Sequence, residues 1–170
     1  MKKKQGRKSM WNYVLKWICS PPIKRKLLIE AFFYLAWARI LKSIPFSKVA
    51  PTLGTPMVET PITYELKFVP IIREISSAVC KMSCHTIWES ACMVKAVAAM
   101  KMLERRGIES TLYLGTAKDH SGKMIAHAWL RSGPFYLTGF EEMEKFTVVA
   151  KFGKQLKANA GQRRIKKHES

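Results

Sequence analysis

The chain has 170 residues, 48% of them apolar and 25% charged, which suits one globular domain with tails and excludes a disordered or collagen-like polymer. Its formal charge is +18, unevenly placed: residues 1–50 carry twelve Lys/Arg against Glu30 alone, residues 51–150 eleven against ten Asp/Glu, and residues 151–170 seven against Glu169. A nucleic-acid enzyme spreads cations over the surface that grips phosphates, so the nearly neutral middle argues against a nucleic-acid partner.

Lys2–Lys8 is a solvated charge run. Trp11, Val14, Leu15, Trp17 and Ile18 predict a short amphipathic helix over Met10–Cys19, stopped by Pro21–Pro22. The basic start resembles a signal peptide, but Lys16 interrupts its apolar part, so export is not expected. A cytoplasmic location with reduced thiols follows. Lys24–Ile44 is predicted as a long helix closed by Pro45. Its charge-free run, Ala31–Ala38, is far short of the ~20 residues that cross a bilayer. A helix so apolar on most sides must be buried or laid on a partner or a membrane surface.

Ala50–Pro61, with three prolines, Gly54 and three threonines, is expected to be a linker. A second helix is predicted from Phe68, with Pro70 in its first turn, through Met82. A third is predicted over Ala91–Arg106, with Ser90 as N-cap and Gly107 as its stop. Strand patterns follow at Ser110–Thr116, Met124–Arg131, Phe135–Thr138 and Phe146–Phe152, with turns at Asp119–Lys123 and Ser132–Pro134. Helices first and an antiparallel meander afterwards make an α+β fold. The organisation expected is a basic segment (1–22), a helical region (23–50), a linker (51–65), a core (66–153) and a basic tail (154–170).

The chemistry concentrates on Cys92. It opens the third helix, where the partial positive charge and free N–H groups favour thiolate over thiol. His127, on the strand Met124–Arg131, is the partner such a nucleophile needs, and alternation puts it on one face with Ile125 and Trp129. The same pattern also fits a small core cysteine and a half-buried histidine. Cys80, Cys84 and His85 could seed a zinc site, but the second ligand pair is missing and Cys19 is remote, so no metal is expected. Trp88 and Trp129 could line a substrate groove or simply pack. No P-loop, GxGxxG, HExxH or GxSxG occurs, and nothing calls for a cofactor.

The segments HTIWESACMVKAVAAMKMLERRGIESTLYLGTAKD and KMIAHAWLR, flanked by LLIEAFFYLAWARILKSIPFSKVAPTLG and EKFTVVAKFG, together resemble the transglutaminase-like leader peptidases of lasso-peptide biosynthesis. The resemblance covers most of Leu27–Gly153. It implies a papain- or transglutaminase-like fold and a cysteine peptidase that removes the leader from a ribosomally made precursor. The freed amine is then joined to an acidic side chain by an asparagine-synthetase-like cyclase. Because the similar region starts near Leu27, the chain resembles the split form, which works with a separate leader-recognition protein. Cys92 would attack the scissile carbonyl, and His127 would take the thiol proton and return it to the leaving amine. Two positions depart from the family. Ile87 stands where many relatives have proline, which predicts a less constrained turn before Cys92. Thr138–Gly139 stands where relatives place the aspartate that orients the histidine. The candidates for that role are the Thr138 hydroxyl, a backbone carbonyl or water, then Glu141 and Asp119, the only aspartate in the chain. The rival readings are another papain-like amide hydrolase or acyltransferase, and a non-enzymatic basic adaptor on an anionic membrane.

Overall fold

The computed structural model describes residues 21–88 and 90–155. The helix expected over Met10–Cys19, Cys19 itself and nearly all of the basic tail lie outside the described residues.

Helix α1 (Pro22–Leu41) begins on a proline, whose missing N–H is harmless there, and buries Leu27, Ala31, Leu35 and Ala38 on one stripe. The expected linker is only partly one. Phe46–Leu53 forms helix α2, with Pro51 inside it, because burial of Val49 and Leu53 outweighs the backbone bond that proline removes. Thr55–Pro56 is a two-residue edge strand, β1, where proline is tolerated. The segment after β1 is also held: Thr60 shares a 2.8 Å hydroxyl contact with Thr111, and its carbonyl accepts a 2.9 Å bond from Arg131.

Helix α3 (Val69–Ser83) has Pro70 in its first turn as predicted, and buries Ile72, Ile75, Ala78 and Val79. Helix α4 (Cys92–Glu104) is buried almost all round, from Val94 to Leu103, as a central helix must be. Its N-cap is Ala91, without a side-chain cap, and not Ser90 as expected. The Ser90 hydroxyl is committed to Thr86 Oγ1 at 2.8 Å.

Strands β2 (Ser110–Lys118), β3 (Met124–Ser132), β4 (Phe135–Thr138) and β5 (Thr147–Lys154) complete an antiparallel sheet of order β1-β5-β2-β3-β4. The expected meander holds for β2–β3–β4 only. β5 returns past the 3₁₀ turn Met143–Lys145 to the other side of β2, where Phe152 pairs with Leu112 and enters the core.

The layers follow from side-chain alternation. Leu112, Ala128, Leu130, Leu137 and Phe152 join the helical core, and α4 lies against that face. Tyr113, Trp129 and Arg131 alternate with them on the back face. α1 packs on α3 and α4, fixed by Glu30, which accepts 2.6 and 3.0 Å bonds from the Arg106 guanidinium. No helix among the described residues is long and apolar enough to cross a membrane.

Candidate active site

Cys92 opens helix α4, and His127 lies on strand β3. The C-terminal end of α4 is tied to the start of the sheet by the 2.9 Å Glu104–Lys154 ion pair, and Lys154 is in register with Ser110. From there α4 runs back about 18 Å to Cys92. β2 covers about 17 Å from Ser110 to Gly115, the residue opposite His127.

The two side chains lie in different layers. Cys92 is half-buried against the helical core, with no acidic residue in the first turn of α4. His127 projects with Trp129 from the back face. Its ring centroid is 6.0 Å from Trp129 and 4.9 Å from Phe146, nearly parallel to both, and Trp129 stacks in turn on Tyr113 at 5.6 Å. Gly115 makes this stack possible: a Cβ there would lie 2.9 Å from both the Trp129 ring and Phe146 Cβ. Arg131 closes the far end, donating to Tyr113 Oη at 2.9 Å and to the Gly133 carbonyl at 2.6 Å.

The deciding contact is at the other edge of the ring. His127 Nε2 lies 2.8 Å from the Gly139 carbonyl oxygen. A carbonyl only accepts, so Nε2 carries the proton and Nδ1 of the neutral ring is left as a base. β4 ends at Thr138, opposite Leu130, and the chain turns at Gly139 with φ +70°. A Cβ at Gly139 would meet the Ala128 carbonyl at 2.4 Å and His127 Nε2 at 3.1 Å. A conformation that L side chains rarely adopt thus aims a backbone oxygen at the histidine. The sequence profile of the transglutaminase-like superfamily matches residues 31–151, a span that contains every part of this arrangement. The chain belongs to that superfamily. Comparison with curated proteins and with solved structures finds no match. The transglutaminase-like α+β fold, helices followed by an antiparallel sheet, is the one the resemblance implied.

In this transglutaminase-like chain the three side chains considered for orienting His127 are all elsewhere engaged or out of contact. Thr138 Oγ1 is buried without a hydrogen-bond partner. Asp119 is spent on its own turn, accepting from Ser121 Oγ at 2.6 Å and from the backbone N–H groups of Ser121 and Lys123. Those bonds, led by the Ser121 hydroxyl, hold its carboxyl below the usual range. Glu141 makes no ion pair or hydrogen bond among the described residues; its charge is felt at Cys80.

Trp129 is 4% exposed, held between Tyr113 and His127, so it supports the histidine and cannot line an open groove. Trp88 packs on Phe32 of α1 at 5.4 Å, with its indole N–H buried and unpaired. The turn before Cys92 is better held than the loss of proline at Ile87 suggested. Ile87 is exposed, but the Thr86 hydroxyl lies within 3.1 Å of the Ser83 and Trp88 carbonyls as well as Ser90 Oγ. Cys84 donates to the Cys80 carbonyl at 3.4 Å, and no cluster of three metal-ligating side chains exists among the described residues. Desolvation, helped by Glu141 and Cys84 against Lys95, pushes the Cys80 thiol up and keeps it protonated at neutral pH. The Cys92 thiol makes no hydrogen bond among the described residues, to His127 or to anything else.

Sequence reasoning missed Gly115, Phe146 and Tyr113. The signal for the first was present: a glycine inside a strand pattern marks a close approach.

Proposed function

We propose that this transglutaminase-like protein is a cysteine peptidase that removes the leader from a ribosomally made lasso-peptide precursor, with Cys92 as nucleophile and His127 as base. A superfamily member of this fold is suited to cysteine peptidase or acyltransferase chemistry; the resemblance around HTIWESAC and AHAW favours the leader peptidase. One observation carries the assignment of the base. The 2.8 Å bond to the Gly139 carbonyl holds the Nε2–H tautomer and frees Nδ1, the work an aspartate does elsewhere.

In the proposed reaction, Cys92 at the start of α4 gives its proton to Nδ1 once the two side chains come within hydrogen-bond reach. Sulfur attacks the scissile carbonyl to form an S–C bond. The C–N bond then breaks, and the leaving amine takes the proton from the imidazolium. Water, deprotonated by Nδ1, cleaves the thioester and restores the thiol. A separate leader-recognition protein would present the precursor, and an asparagine-synthetase-like cyclase would consume the freed amine.

The test is mass spectrometry of a matched precursor incubated with this protein and its recognition partner. Cys92→Ala is expected to abolish the leader cut while Cys80→Ala and Cys84→Ala retain it. If leader is cleaved equally by Cys92→Ala, the assignment is wrong. Transfer of the acyl group to an added amine in place of water would make the protein an acyltransferase.

A further inference from the structure

The outer face of α1 is apolar as well as its inner one. Opposite the buried stripe, Ile29, Phe33 and Ile40 are 46, 66 and 65% exposed and recur along one line about 17 Å long. Such a row on an outermost helix needs a cover. Beside it, α1 and the end of α4 enclose a groove of about 620 Å³, whose lining includes Lys26, Ile29, Phe33, Arg105 and Arg106. Glu30, the single acid of α1, is turned onto Arg106, so it does not offset the cations at the surface. Arg105 reaches the same carboxylate only at 3.9 Å and stays 68% exposed; Lys26 is in no ion pair among the described residues.

We propose that the outward stripe of α1, with Lys26 and Arg105 beside it, docks this protein on an anionic phospholipid surface. Charge complementarity selects that occupant. Residues 1–50 carry twelve cations against one internally paired acid, and six of those cations lie in residues 1–20, which lead directly into α1. Apolar side chains on one helical line with cations beside them are the composition of a helix that lies in the membrane interface. A surface that lies on the bilayer also agrees with a chain in which no described helix can span it. The docking face and the His127 stack are separated by α3, α4 and the sheet, so the proposal does not depend on the peptidase reading.

Co-sedimentation of the full-length protein with phosphatidylcholine vesicles, with and without phosphatidylglycerol, tests it. Binding is expected to the anionic vesicles only, and to weaken as salt rises. Ile29→Ser/Phe33→Ser/Ile40→Ser should weaken it at least about tenfold, and Lys26→Gln and Arg105→Gln about fivefold each. Circular dichroism melting of these variants should match wild type, because the side chains are exposed. Equal binding to both vesicle types, or none at low salt, overturns the proposal. So does full binding by the stripe variant together with its loss on deletion of Met1–Lys8, which would assign the membrane to the tail alone. A dimer in sedimentation velocity that the stripe variant dissociates, with lipid binding unchanged, would assign the face to a second copy.

Discussion

The two faces of the sheet are built from alternate residues of the same strands, and they obey different rules. Toward the helices, β3 presents Ala128 and Leu130, which join Leu112, Leu137 and Phe152 in an aliphatic core. Such contacts are non-directional, and their value scales with area removed from water. Away from the helices the same strand presents His127, Trp129 and Arg131, each held in a set orientation by stacking or by hydrogen bonds. The first face holds the molecule together. The second fixes the angle and tautomer of one imidazole.

That division can be broken one side at a time. The largest effect on activity is expected from His127→Ala, which should lower the leader-cleavage rate by several powers of ten and leave thermal stability close to wild type. Leu130→Ala should do the reverse, costing about 2–5 kcal/mol in denaturant unfolding with cleavage per folded molecule preserved. Loss of cleavage per folded molecule in Leu130→Ala would dissolve the distinction.

Gly139→Ala comes next. The new Cβ would be forced against the Ala128 carbonyl at a φ of +70°, so the carbonyl must leave the ring. A misplaced base can cost about 10²-fold in kcat. Gly115→Ala should cost about 1–3 kcal/mol of stability by overpacking the Trp129–Phe146 contact, with a smaller loss of rate. Replacing either of two carboxylates should matter little: Glu141→Gln and Asp119→Asn are expected to stay within a few-fold of wild-type cleavage. A collapse in either, matching His127→Ala, would mean that a carboxylate and not the Gly139 carbonyl orients the ring.

The smallest effect tests the tie that aligns α4 with the sheet. Burial pushes the Glu104 carboxyl up, but hydrogen bonds from Lys101 and Lys154 outweigh it and leave it below the ordinary range. A lowered folded-state value adds stability that is present above the unfolded carboxylate range and is lost as pH falls through the folded one. Glu104→Gln should therefore lose under about 1 kcal/mol at neutral pH and show a correspondingly shallower acid limb in unfolding experiments.

The parts of this arrangement that lie in local pattern were legible in the sequence. Pro70 and the apolar spacing after it place α3, Ala- and Met-rich spacing places α4, and alternation places the strands and the shared face of His127 and Trp129. What escaped depends on distant partners. Pro51 concealed α2, whose helix exists because Val49 and Leu53 find a core. The meander could not reveal that β5 crosses to β2, since alternation is the same in any strand order. A backbone carbonyl is among the sequence's candidates for orienting His127, but a carbonyl has no letter, so nothing in the pattern singles out that of Gly139. Gly139 shows in the sequence only as the place where relatives have an aspartate.

The account turns on the tautomer of His127, and a long-range ¹H–¹⁵N NMR spectrum of the labelled protein, at a pH where the ring is neutral and with His127→Gln to assign the signal, measures it directly. The Gly139 bond predicts a protonated Nε2 and a bare Nδ1. A protonated Nδ1 would contradict it, because the base would then be pointed at a carbonyl and the nitrogen meant for the Cys92 proton would already be occupied.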